Sequence, residues 1–157
     1  MEQPEALLDS NVLVAAVAEK HEHHAPSLAV LDVTRPGGFA VAAHSYAEAF
    51  TALTRFGPRG QFRLAPEEAW EALARVKAVT RLVGLTPEQT LDAVRLYAAA
   101  GGIGARLYDH LIGQAAVIAG VRVIVTWNTG HLRSLFPRMT VETPQEHLVR
   151  CAGEPAT

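Results

Sequence analysis

The chain contains one cysteine, Cys151. No internal disulfide can form, which fits a reducing compartment, and thiol catalysis has no partner pattern to support it. Lysine is almost absent too, with only Lys20 and Lys77. A phospho-receiver domain, which needs paired acids after its first strand and a lysine near its last, is therefore excluded. No stretch approaches the roughly 18 apolar residues of a membrane-spanning helix. Met1 to Glu5 is acidic and lacks a basic n-region, so no secretory signal is expected and a cytoplasmic location is. Gly101-Gly102-Ile103-Gly104 precedes a helix but follows no convincing strand, so it is not a nucleotide-binding loop. There is no Gly-x-Ser-x-Gly element either.

What is present suffices for one ordinary domain: 157 residues, 49% hydrophobic and 19% charged. The net charge of −2 hides an uneven distribution. Residues 1–54 carry two bases against seven acids, residues 55–138 eleven bases against six acids. Twelve of the fourteen bases are arginine, the better bidentate partner for phosphate. Such a chain accommodates a nucleic-acid ligand without demanding one, and Arg55, Arg59, Arg63 and Arg81 of the positive section are candidates to meet its phosphates.

Helical segments alternate with short apolar ones. Ala6-Leu7-Leu8 reads as a buried strand, followed by a helix capped by Ser10 or Asn11 and running through Val12 to Val17. A second helix starts near Pro26 and stops at Arg35-Pro36-Gly37-Gly38. Phe39 to Ala42 reads as a strand and Ser45 to Leu53 as a helix, followed by a turn at Gly57-Pro58-Arg59-Gly60. Pro66 opens another helix, with acids in its first turn. After a strand-like link at Arg81 to Leu85, Thr86-Pro87-Glu88-Gln89 is a helix start with a capping box. That helix ends at Gly101-Gly102, and a further one covers Ala105 to Ala119. Val121 to Thr126 is the most β-branched strand. A short helix from His131 to Leu135, a strand at Thr140 to Glu142 and a turn from Pro144 complete the chain. This alternation predicts a three-layer α/β/α fold with a central, mostly parallel sheet over residues 1–148, and a C-terminal tail over 149–157.

In such sheets ligands bind at the carboxyl ends of the strands. Asp9 and Asn128 each stand just past a strand, while Glu48 and Asp109 lie in first turns of helices. Oxygen ligands of this kind suit Mg²⁺ or Mn²⁺. Each residue also has an ordinary role open to it. Ser45-Tyr46-Ala47-Glu48 matches a capping box, Asp9 can serve as an acid at a helix start, and Asn128-Thr129-Gly130 reads as a turn. Asp109 sits beside the apolar set Leu107, Leu111, Ile112 and Ala115, where a lone carboxylate is costly.

Four segments occur in order: Ala6-Leu7-Leu8-Asp9-Ser10-Asn11-Val12-Leu13, Ser45-Tyr46-Ala47-Glu48-Ala49, Gly104-Ala105-Arg106-Leu107-Tyr108-Asp109-His110-Leu111-Ile112 and Thr126-Trp127-Asn128-Thr129-Gly130-His131-Leu132. Together they resemble the PIN domain and, within it, the VapC-type toxin ribonucleases. The resemblance implies a Mg²⁺- or Mn²⁺-dependent endoribonuclease that forms a homodimer and is held inactive by a VapB-like antitoxin. It assigns the acidic positions to Asp9, Glu48 and Asp109, with Asp9 and Asp109 as metal ligands. Thr126 takes the hydroxyl position, Asn128 the position where an aspartate is usual, and Asn11 and His131 are accessory. Neutral Asn128 leaves three carboxylates, which favours one firmly bound ion with any second recruited by RNA. It also keeps open a catalytically silent PIN-like module that binds RNA or protein.

Other features invite attention. His21-Glu22-His23-His24 lacks a closed zinc spacing and is expected as a surface loop near the site mouth. His110 is expected at the surface or core edge, and Trp70 and Trp127 in the core.

Overall fold

The computed structural model describes residues 3–31, 37–55 and 61–153. The expected turn at residues 57–60, with Arg59, lies outside them, as do Arg35 and Pro36. Five strands form one sheet: β1 (Ala6–Leu8), β2 (Phe39–Ala42), β3 (Arg81–Val83), β4 (Val123–Val125) and β5 (Thr140–Glu142). Their order is β3-β2-β1-β4-β5, and every pairing is parallel. The expected mostly parallel sheet is thus wholly parallel among the described residues. β1 is central, with Leu8 beside Val41 on one side and Val125 on the other. All three β1 residues are fully buried, as a strand covered by helices on both faces requires.

Side chains alternate across the sheet, and the core divides accordingly. Leu8, Val41 and Val125 face one layer. It is built from α1 (Ser10–Val17), α2 (His24–Val30), α3 (Ala43–Thr54) and α4 (Pro66–Val79), with Val12, Leu13, Val30, Leu53 and Leu73 fully or almost fully buried. Leu7, Ala40, Ile124 and Val141 face the other layer, where α6 (Arg106–Ile118) supplies Ile112, Ala115 and Ala116 and α7 (Thr129–Leu135) supplies Leu132. α5 (Pro87–Ala99) lies on α6, and α8 (Pro144–Gly153) lies against α2.

Several local expectations change. Asp9, rather than Ser10 or Asn11, is the N-cap of α1, with its Oδ1 accepting the Ser10 N–H at 2.6 Å. α2 starts at His24, two residues before Pro26. α3 begins at Ala43, so Ser45 lies inside the helix, fully buried, and caps nothing. The capping box expected at Ser45-Glu48 does not form, whereas that of Thr86 and Gln89 does. Pro144 opens a helix instead of a turn because Thr143 and Glu146 cap it reciprocally. Residue 149, where the tail was expected to begin, lies within this helix. Trp70 is 60% exposed, because the buried face of α4 is set by Ala69, Leu73 and Val76 and Trp70 points away from it. No helix among the described residues is long and apolar enough to cross a membrane.

Candidate active site

The strand order reverses direction between β1 and β4, leaving a crevice at their carboxyl ends, where open parallel sheets bind ligands. Asp9 stands at this point after β1, and Thr126 and Asn128 follow β4. Asp9 is only 4% exposed and Thr126 is fully buried. The Thr126 hydroxyl donates to Asp9 Oδ2 at 2.7 Å and accepts the Asn128 N–H at 3.0 Å. Asn11 completes the junction: its Nδ2 donates to Asp9 Oδ2 at 3.2 Å and to Thr126 Oγ1 at 3.0 Å, and its Oδ1 accepts the Trp127 N–H at 3.1 Å. Asn11 is therefore a brace between the two strand ends, placed there by the first turn of α1.

Glu48 on α3 and Asp109 in the first turn of α6 approach the same point. Burial pushes the Glu48 carboxyl up to about 7, and the neighbouring charges of Asp9 and Asp109 add to the effect. Burial also raises Asp9, against the hydrogen bonds of Thr126 and Ser10, and the Asp109 charge adds to the rise. Glu48 Oε1 is buried and accepts no hydrogen bond among the described residues. The sequence-derived trio is thus brought together as three mutually repelling carboxylates, one with a buried oxygen left over. Such an arrangement is costly unless a cation offsets it.

His131 Nδ1 lies 3.3 Å from Asp109 Oδ2 and 3.3 Å from Asn128 Nδ2. One proton decides its partner: with it, Nδ1 donates to Asp109; without it, Nδ1 accepts from Asn128. His44 was missed by sequence reasoning. Its Nε2 lies 3.7 Å from Glu48 Oε1, and burial lowers its basicity, so the neutral ring is favoured. The available signal was its spacing of four residues from Glu48 on one helix face.

The histidine-rich segment borders this site. His23 stacks on Trp127 with ring centroids 3.8 Å apart, and Trp127 Nε1–H donates to Ser27 Oγ at 2.8 Å. Trp127 packs against the larger core cluster but is only partly buried, short of the core position expected. His110 is half-buried between Tyr97 and Phe136. Arg55 and Arg63 are exposed and Arg81 lies on edge strand β3. A separate cleft of about 850 Å³ runs between the α1–α2 connection and α4, lined by Glu19, His21, Glu68 and Arg75 among others. It contains none of the three site carboxylates.

The PIN domain family profile matches residues 6–134, and the chain belongs to this family. The family is one of nucleases that generally use divalent metals. Among solved structures, the chain is similar to PAE2754 from Pyrobaculum aerophilum, with 21% identity, a TM-score of 0.66, and coverage of 97% of this chain and 98% of that one. It is also similar to the sarcin-ricin loop cleaving toxin VapC20 from Mycobacterium tuberculosis, with 15% identity, a TM-score of 0.64, and coverage of 82% and 94%. A third similar structure is VapBC2 from Rickettsia felis bound to a promoter DNA fragment, with 16% identity, a TM-score of 0.59, and coverage of 88% and 97%. No curated protein matches the sequence.

Proposed function

We propose that the protein is a VapC-type toxin, a Mg²⁺- or Mn²⁺-dependent endoribonuclease acting in the cytoplasm as a homodimer and restrained by a cognate antitoxin. The observation that carries this reading is the convergence of Asp9, Glu48 and Asp109, with Glu48 Oε1 buried and accepting no hydrogen bond among the described residues. The donor set is all oxygen, which fits a hard divalent cation. Asp9 and Asp109 would hold it. A cation bound there lowers the pKa of a coordinated water and polarises a phosphoryl oxygen.

The side chains divide the remaining work. Glu48, raised to about 7, is poised to take the proton of the attacking water as general base. Thr126 and Asn11 hold Asp9 in one orientation through their hydrogen bonds to its Oδ2. Asn128 offers an amide to a phosphate oxygen or to a hydrating water, and His131 positions Asp109 and Asn128. Arg55, Arg59, Arg63 and Arg81 guide the RNA backbone. An antitoxin segment that inhibits this site would be expected to bring a basic side chain to the carboxylates.

A second reading is a silent PIN-like binding module, favoured by neutral Asn128 and by His131 lying close to both Asp109 and Asn128. Incubation of a mixed RNA pool with Mg²⁺ or Mn²⁺ separates the two. Cleavage by the native chain and its loss in Asp9→Asn supports the nuclease. Equal background from both proteins, with RNA still bound, supports the silent module.

A further inference from the structure

β1 carries a carboxylate at each end. Asp9 follows it into the acidic site, and Glu5 precedes it and meets α8. Glu5 Oε1 lies 3.1 Å from His147 Nε2 and 3.0 Å from Cys151 Sγ, and that sulfur lies 3.6 Å from the same ring nitrogen. One ligand atom from each side chain falls within 4.8 Å of the other two. His147 and Cys151 are four residues apart on α8, hence one turn apart on one face.

We propose that Glu5, His147 and Cys151 form a zinc site separate from the acidic site. The donors are one carboxylate, one imidazole and one thiolate. This set selects a borderline-soft ion such as Zn²⁺ and is a poor match for Mg²⁺. The histidine is also oriented as a ligand. His147 is 2% exposed, with Phe39 edge-on to its ring. Its Nδ1 lies 2.6 Å from Glu142 Oε1, and Glu142 is held in turn by Arg150 Nη2 at 2.9 Å and Nε at 3.1 Å. A carboxylate that accepts the Nδ1–H fixes the tautomer and directs the Nε2 lone pair toward Glu5 and Cys151. Metal-binding histidines almost always donate the other ring N–H to such an acceptor, a carboxylate, a backbone carbonyl or water.

Binding is a proton exchange with no redox change. The Cys151 thiol, which donates to Glu5 in the metal-free protein, gives its proton to solvent. Affinity therefore rises with pH. Three protein ligands leave the fourth tetrahedral place to water. The ion would clamp the residue before the central strand to the last helix, giving the site a stabilising role.

Co²⁺ titration of the reduced full chain tests this. Cys151 is the only cysteine, so a thiolate-to-Co²⁺ charge-transfer band reports on this site alone, whatever occupies the acidic one. One equivalent is expected to produce that band together with tetrahedral visible absorption. Zn²⁺ should displace the Co²⁺ and raise the melting temperature. Cys151→Ser should abolish the band, Glu5→Gln should weaken binding about tenfold or more, and Glu142→Gln about 10- to 100-fold through the histidine. Asp9→Asn should leave the band unchanged, which separates this proposal from the nuclease reading. Absence of the band in folded native protein with excess Co²⁺ overturns the site. So does a band that persists at full affinity in both Glu5→Gln and His147→Gln.

Discussion

The Thr126 hydroxyl donates to Asp9 Oδ2 at 2.7 Å across 117 positions of sequence, tying the end of β4 to the end of β1. Both groups are buried, and the same oxygen accepts the Asn128 N–H and an Asn11 amide proton. One hydroxyl thus ties three residues to Thr126. Thr126→Val preserves shape and removes that oxygen, leaving Asp9 short of a donor and the Asn128 N–H unmatched. The expected cost is about 1–3 kcal/mol of stability, the usual penalty for an unpaired buried polar group, with reduced RNA cleavage as well. Urea unfolding measures the first. A Thr126→Val protein as stable as the native one would remove Thr126 from this role.

Asp9→Asn separates activity from folding. Asparagine keeps an oxygen to accept the Ser10 N–H, so the cap of α1 survives. The buried charge and its repulsion by Glu48 and Asp109 vanish. RNA cleavage is expected to fall at least about a hundredfold, as when one transition-state stabiliser is removed, while the metal-free protein stays folded, because the lost repulsion offsets the cost of turning an amide N–H toward the Thr126 and Asn11 donors that Oδ2 accepts. A variant that lost activity only by unfolding would show the residue to be structural.

Asn128 places a neutral amide beside the three carboxylates. Asn128→Asp adds a fourth carboxylate within reach of Asp109 and His131, whose Nδ1 lies 3.3 Å from each side chain. The variant is expected to bind Mg²⁺ more tightly and to melt lower without it, because the added charge is repelled until a cation arrives. Calorimetric titration and melting in chelator check the two effects. Unchanged affinity would place Asn128 outside the cation's surroundings.

Much of this architecture was legible from periodicity. Ala6–Leu8 and Val123–Val125 are apolar runs whose lengths and flanks mark buried strands, and Thr86-Pro87-Gln89 announces its helix through local hydrogen bonds. What failed was decided by tertiary contacts or by competing caps. Ser45 has the chemistry of a cap, but β2 runs directly into α3 at Ala43 and carries the serine inside. That displacement frees Glu48 from the capping box and leaves it facing Asp9 and Asp109. Trp70 reads as core by size alone, yet its neighbour Ala69 fits the tight approach of α4 to the core, and the indole is turned outward. His44 went unnoticed because its significance depends on the half-buried state of Glu48, which no local pattern reveals.

Glu48 makes the stability of the metal-free protein depend on pH with a definite sign. Its folded value is about 7, against 4.5 for the free side chain. Between these values the folded chain holds the proton more tightly than the unfolded chain does, so stability falls as pH rises. The penalty is absent below the lower value and complete above the upper one. Asp9, also raised, acts in the same sense. His44 and His110 oppose it: burial lowers them from 6.5, so the unfolded chain takes up protons they refuse, and their contribution improves stability as pH rises. The net slope of the native protein therefore mixes both signs, and the informative quantity is its difference from Glu48→Gln. Melting temperatures in chelator from about pH 5 to pH 8 should show the variant gaining on the native protein as pH increases. Saturating Mg²⁺ should shrink that difference, because a bound cation offsets the charge that the glutamine removes. A constant gap across the series would mean that Glu48 titrates alike in the folded and unfolded chain, and the crowding of three carboxylates would then have no energetic consequence.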